Sequence, residues 1–531
     1  MTANAGARTL LRLALRRDRV MIPVWVGLLF VLALTVLTGY QGLYSEEAER
    51  REFAAGINTN TSLLAFYGPA HAASVGALTA WRLGAAAAVL VSVMSILLVV
   101  RHTRAEEEDG RLELVSAGVV GRYAPLTVAL GTAFLANLAL GLSVTLLLMG
   151  EGAAGAVAFG LAWTLTGTFF ATVAAVTAQL TGNARVANTI AITLLGAAFL
   201  LRAVADSGGA NGPTWLSWLS PIGWGQQVRP YAGDRWWVLA LPLAGAMLLA
   251  ALAYSLVARR DLGGGLLPSR PGPAQAAPSL RSPLALAWRL QRGALAAWAA
   301  GFAVYGLVFG GTIEGVDELA GDSPSTRDAI ARMGGTTDLT NAFLVTAFGL
   351  MALTASVYAV QAMLRLRGEE AHGRAEPLLA SPVSRVRWAG GHALIALLGT
   401  ALLLVVGGVT TGLTYGLTSG DLAGAMADAM GGALVQVPAA WVPAGIALAL
   451  LGPAPRAVAG AWAAIAVFLL LGQVGPLLEL DQWAMDLSPF THVPKLPGAA
   501  MAVAPMVWLA VVTAALAAAG LYGLRRRDIT A

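Results

Sequence analysis

RHTRAEEEDGRLELVSAGVVGR, residues 101–122, and RLRGEEAHGRAEPLLASPVSR, residues 365–385, are two versions of one charged segment. Arg104, Glu106, Glu107, Gly110, Arg111, Glu113 and Arg122 recur in order as Arg367, Glu369, Glu370, Gly373, Arg374, Glu376 and Arg385. Charged residues at fixed spacing are hard to repeat by accident, so the chain reads as a tandem repeat. Other matches extend it outward. Arg16, Arg19 and Trp25 correspond to Arg289, Arg292 and Trp298, and Arg185 corresponds to Arg456. Ser220-Pro221 returns as Ser488-Pro489, and Arg259-Arg260-Asp261 returns as Arg526-Arg527-Asp528.

The matched charges separate long apolar runs. Of 531 residues, 57% are hydrophobic and 12% charged, against about 25% charge in a soluble domain. Runs long enough for a bilayer, which takes about 20 residues, fall near 20–40, 77–100, 124–149, 153–180, 186–204 and 236–257. The second half has runs near 293–313, 342–364, 389–415, 424–451, 457–478 and 504–524. The expected fold is all-α and polytopic, with about twelve membrane helices in two repeats of six. The first repeat covers residues 1–262 and the second 283–531. The Pro- and Gly-rich segment 263–282 reads as a flexible linker. An even span number makes the repeats parallel, with a pseudo-axis along the membrane normal.

Most of the 34 Lys and Arg residues fall in the N-terminal segment, the two quoted loops, the linker and the tail. The positive-inside rule puts these segments and both termini in the cytoplasm. The net charge of +5 is thus a topology signal and not a sign of nucleic-acid binding. The run after the N-terminal arginines is too long for a cleavable signal peptide. Arg in place of Lys, with heavy Ala and Gly usage, suggests a high-GC bacterial source and a bacterial plasma membrane. Residues 8–17 and 283–292 read as amphipathic helices lying in the headgroup plane before each half's first span.

Each quoted segment fits short charged helices. Glu107 with Arg111, and Glu370 with Arg374, stand four apart in the favourable order for a helical ion pair. A self-paired amphipathic turn accounts for one such segment. Two copies are what a pair of identical partners needs. Charge reversal at Glu107 and Glu370 is expected to break that docking and leave the fold intact.

No engine is legible. A phosphate-binding loop needs Gly-Lys-Ser or Gly-Lys-Thr, and the single Lys, Lys495, lies between Pro494 and Leu496. Cys is absent, and the five His residues show no metal-ligand spacing. No nucleophile–base set stands out, and the spans hold few carboxylates or His for a proton relay. His102 and His71 are read as loop residues. Among uncharged polar residues in spans, Asn137, Asn188, Gln361 and Gln436 are candidates to line a pathway, although interhelical hydrogen bonding is the plainer role.

The doubled Glu-Glu-x-x-Gly-Arg-x-Glu segment, with a basic helix before each half, resembles the fused permeases of actinobacterial ABC exporters, in particular the tetronasin or polyketide-antibiotic class. The resemblance implies that each half is one type-2 exporter domain. It implies that the loops at 101–122 and 365–388 are coupling helices docking two copies of a separate ATP-binding subunit. Glu106, Glu107, Gly110, Arg111 and Glu113 would then form one contact, and Glu369, Glu370, Gly373, Arg374 and Glu376 the other. ATP and magnesium would belong to the partner, with no cofactor and no hydrolysis on this chain. The substrate would be a small hydrophobic or amphipathic drug or antibiotic. The outer connection between fifth and sixth spans would fold as short helices around the Ser-Pro pairs. Pro377 in place of Leu114 implies docking helices of different shape. The competing reading is a twelve-span ion-coupled drug exporter.

Overall fold

The computed structural model describes residues 4–44, 46–59, 61–116, 118, 120–209, 212–261, 263–267, 274–313, 338–473 and 481–528. Every regular element among them is helical. Among the described residues, eleven helices are long and apolar enough to cross a membrane. The chain divides into two compact units, Met1–Gly272 and Pro273–Ala531.

In the first unit the spans are Met21–Leu43, Ala86–Val100, Ala124–Leu148, Ala153–Leu180, Ala184–Ser207 and Ala240–Val257. The fourth is central, packing on the second, third and sixth. Small residues let these helices approach. A side chain at Gly141 would come within 2.6 Å of the Gly160 carbonyl, and one at Gly160 within 2.5 Å of the Gly141 carbonyl. The second span does not stop where its apolar residues end. It continues through a π-helical turn, Arg101–Ala105, into Glu106–Glu108.

In the second unit the first three spans are Pro283–Thr312, Leu339–Ala371 and Arg385–Ser419. The fourth is broken into Leu422–Val435 and Val437–Leu451 at Gln436. Pro438, in the first turn of the second piece, has no amide to continue the ladder across the break. The sixth is Val503–Arg526. The run near 457–478 appears as a shorter helix, Gly460–Gln473, so it is not among the eleven, and its expected end lies outside the described residues.

Two local expectations are corrected. The segment 283–292 is not a separate interfacial helix. It is the start of a continuous 30-residue helix, about 45 Å long and so longer than the roughly 30 Å hydrocarbon layer. In the first unit the helix Ala7–Arg17 is separate from Met21–Leu43, because Asp18 at the break turns inward to His102 and Arg101. Its counterpart Gln291 stays in the helix, with Nε2 2.8 Å from His392 Nδ1. The linker is also not free from its start. Leu266 and Leu267 donate backbone hydrogen bonds to the carbonyls of Gln179 and Leu180, at 3.2 and 2.8 Å.

The candidate docking site and its doubled latch

The two charged segments share one backbone design. Each span helix runs past its first two acids and ends at a glycine of positive φ, Gly110 at 70° and Gly373 at 65°. Glycine meets this left-handed geometry without the steric cost of a Cβ. A short helix follows, Arg111–Ser116 in the first unit and Ala375–Leu379 in the second. The first two acids therefore lie on the span and the third on the short helix.

That break changes the ion pairs. The pairs four apart do not form, because the chain turns before Arg111 and Arg374. Arg111 Nε lies 3.1 Å from Glu106, and Arg374 lies 3.6 Å from Glu369. Arg111 also binds Asp109, and Arg17 of the N-terminal helix binds Glu106. Glu107 and Glu370 turn the other way, toward the end of the sixth span. Arg260 makes a two-pronged bond to Glu107, at 2.5 and 2.8 Å. Arg527 reaches both oxygens of Glu370, at 2.6 and 2.7 Å. The Glu107 and Glu370 side chains are 5% and 0% exposed. Arg104 adds a bond to Glu107 at 2.7 Å, and Arg367 lies 3.8 Å from Glu370.

A third pair of matched residues completes the latch. Arg122 donates to the carbonyls of Val257 and Arg260, both at 2.9 Å. Arg385 donates to the Arg527 carbonyl at 2.5 Å. The start of the third span is thus tied to the same sixth-span end as the second. In the first unit a cavity of about 380 Å³ opens beside the latch, lined by Glu107, Leu112, Arg122, Gln179 and Arg260 among others.

Glu107 and Glu370 are consequently internal, and charge reversal there would open a buried pair as well as alter a surface. Arg111, Glu113, Arg374 and Glu376 are the exposed members of the two sets. Beside them, sequence reading missed Glu108, which accepts from Asn183 Nδ2 at 2.9 Å and from the Ala184 amide at 3.0 Å. It caps the fifth span. His102, read as a loop residue, is buried on the helix and bonded to Asp18.

Two of the four pathway candidates are committed elsewhere. Asn137 and Ser95 bond each other between the second and third spans, at 2.9 and 3.1 Å. Gln361 is exposed and accepts from Trp298 Nε1 at 2.8 Å. Asn188 Oδ1 and Gln436 Oε1 are buried without a hydrogen-bond partner. Gln436 lines a cavity of about 200 Å³ at the other end of the second unit, with Thr346 and Lys495. A charge pair inside the fifth span was also missed. Arg202, fully buried, lies 3.5 Å from Asp206 and donates to the Ala65 and Phe66 carbonyls at 2.6 and 2.9 Å. Its sequence signal was an Arg and an Asp four apart at the end of an apolar run.

A family model described as the multidrug efflux system permease Rv1217c, C-terminal domain, matches residues 280–525. The chain is 44% identical over 527 residues to the multidrug efflux system permease protein Rv1217c of Mycobacterium tuberculosis (strain ATCC 25618 / H37Rv). The match covers 99% of this chain and 95% of the relative. This chain belongs to the Rv1217c family of multidrug efflux permeases. Its near-complete coverage extends the family relationship to both units. The membership and the eleven apolar helices make it a membrane-spanning permease.

Proposed function

We propose that this permease is the membrane subunit of an ATP-driven exporter of hydrophobic or amphipathic compounds, powered by two copies of a separate ATP-binding subunit. The observation that carries the reading is the doubled latch, Glu107–Arg260 and Glu370–Arg527. Each ties the second span to the sixth and stands beside an exposed short helix. A partner that moves Arg111–Ser116 or Ala375–Leu379 would move the ends of three spans together. Two like addresses on one chain suit two identical partners. ATP and magnesium would be held by those partners.

The Arg-rich end of each unit, which carries the latches and both chain termini, is assigned to the cytoplasm by the positive-inside rule. An efflux direction is supported by the relative's name.

The ion-coupled reading is favoured by one observation, the Arg202–Asp206 pair within a span. Arg202 is nevertheless engaged with two backbone carbonyls at the end of helix Thr61–Tyr67, which is a structural role for its charge. Purification of the permease from its own cells, with identification of any ATP-binding protein that comes with it, separates the readings. Two ATP-binding subunits per permease are expected. A permease that recovers no such subunit and transports on a proton gradient alone would exclude the proposal.

A further inference from the structure

At the end of the first unit opposite the latch, the chain takes an unusual turn. Arg229, Tyr231 and Asp234 have positive φ values of 51°, 61° and 32°. Such conformations cost a residue with a side chain of order 1 kcal/mol each. Tyr231 accounts for part of the turn. Its hydroxyl donates to the Leu148 carbonyl at 3.0 Å, and its amide donates to Asp234 Oδ1 at 2.8 Å.

Arg229 is not explained that way. It lines a cavity of about 40 Å³ with His71, Trp81, Phe159 and Gln226. That volume has room for about three waters, or one oxyanion. Arg229 Nε is buried without a hydrogen-bond partner. Arg235 acts electrostatically on both Arg229 and His71. Neither Arg229 nor Arg235 takes part in an ion pair among the described residues. His71 stands at the cavity mouth, with part of its surface open to solvent. Crowding by the chain, then the two guanidiniums, hold its pKa down to about 4, so it is uncharged at neutral pH.

Arg235 does not line the cavity, but its charge reaches both residues, and like charges within electrostatic reach repel until an anion nearby offsets them. The cavity also offers an unmatched acceptor. Gln226 Nε2 is used on the Tyr67 carbonyl, and Oε1 is buried without a partner. A carboxylate only accepts hydrogen bonds. A phosphate with a hydroxyl on or beside it accepts from arginine and donates to an amide oxygen. Exposed Trp215, Trp236 and Trp237 lie in the same part of the sequence, and exposed tryptophan marks headgroup depth. The second unit repeats the chemistry. Lys495 stands seven residues after Ser488 where Arg229 stands nine after Ser220, so the two are not aligned, but the Lys495 cavity also contains an unmatched amide oxygen, that of Gln436.

We infer that the cavity of the first unit binds a phosphate group, held by Arg229 and attracted also by the nearby charge of Arg235, with a neighbouring hydroxyl turned to Gln226. The Trp-rich surroundings point to a phospholipid headgroup as its source, and free phosphate shares the chemistry. The site does not depend on the energy source proposed above.

Calorimetric titration of the purified permease in uncharged detergent tests it. Dioctanoyl phosphatidylglycerol is expected to bind, and neutral dioctanoylglycerol is not expected to compete. Arg229→Gln with Arg235→Gln is expected to weaken phosphatidylglycerol binding at least tenfold, while Arg229→Lys with Arg235→Lys retains most of it. Full competition by inorganic phosphate would assign the phosphate site to a free anion. No competition by phosphate would assign it to the lipid. Binding by the Gln pair equal to that of the native chain would overturn the inference. Should the Gln pair not fold, Gln226→Glu places a repelling charge at the same cavity, and unchanged binding there would overturn it equally.

Discussion

Arg260 grips Glu107 with two hydrogen bonds, at 2.5 and 2.8 Å, across 153 residues of chain. Arg527 holds Glu370 in the second unit in the corresponding way. Removing one partner of a buried ion pair leaves the other unpaired, which costs roughly 3 kcal/mol or more. Glu107→Ala and Arg260→Ala should therefore each lower the unfolding free energy of the detergent-purified permease by about that much. The double variant should lose clearly less than the sum. Additive losses in a denaturant or thermal series would show that the pair is not coupled.

The proposed docking would rest on the exposed side chains. Glu113→Lys with Glu376→Lys should leave thermal stability unchanged within about 0.5 kcal/mol, as surface substitutions usually do. The same change should weaken association with the ATP-binding partner at least tenfold, read by co-purification and by permease-stimulated ATP hydrolysis. Unchanged association would remove the two short helices from the interface.

Gly110→Ala and Gly373→Ala test the turn that separates span from short helix. No atom lies within 4 Å of a Cβ built at either position, so only backbone strain opposes the change. Each should cost about 1 kcal/mol, and together they should impair coupling more than stability. A stabilising effect at either site would mean that the span prefers to continue as helix.

These turns also explain what the sequence could and could not disclose. The repeat was legible because its charges sit at helix ends, where spacing survives. The pairing was misread at Glu107 and Arg111 because helical spacing was carried through Gly110, which breaks it. Arg260 and Arg527 were recognised as repeats, but nothing in a linear pattern says that each folds back onto the second span. Asp18 and His102 were separated by two whole spans and met only in three dimensions. Gln361 and Asn137 looked alike as polar residues in apolar runs, and only packing shows their Trp298 and Ser95 partners.

Asn137→Ala is accordingly a stability variant. It should cost about 1 kcal/mol, the scale of an interhelical hydrogen bond in a membrane protein, without changing which compounds are exported. Gln436→Ala should alter the relative export of different compounds more than stability, since its Oε1 has no protein partner to lose. Drug-susceptibility profiles of cells expressing each variant distinguish the two. The reverse outcome would exchange their roles.

Orientation has a direct chemical test because the chain contains no Cys. Single cysteines at Ser116 and Ser381 should react with a membrane-impermeant maleimide only in inside-out vesicles. Labelling in right-side-out vesicles would reverse the assigned topology.

The central claim, that this permease has its engine on a separate subunit, is tested most directly by transport in proteoliposomes. A fluorescent amphipathic drug should accumulate in inside-out vesicles containing the permease and its ATP-binding partner when ATP and magnesium are added. It should not accumulate when the partner is omitted, with or without a proton gradient. Gradient-driven accumulation by the permease alone would contradict the account.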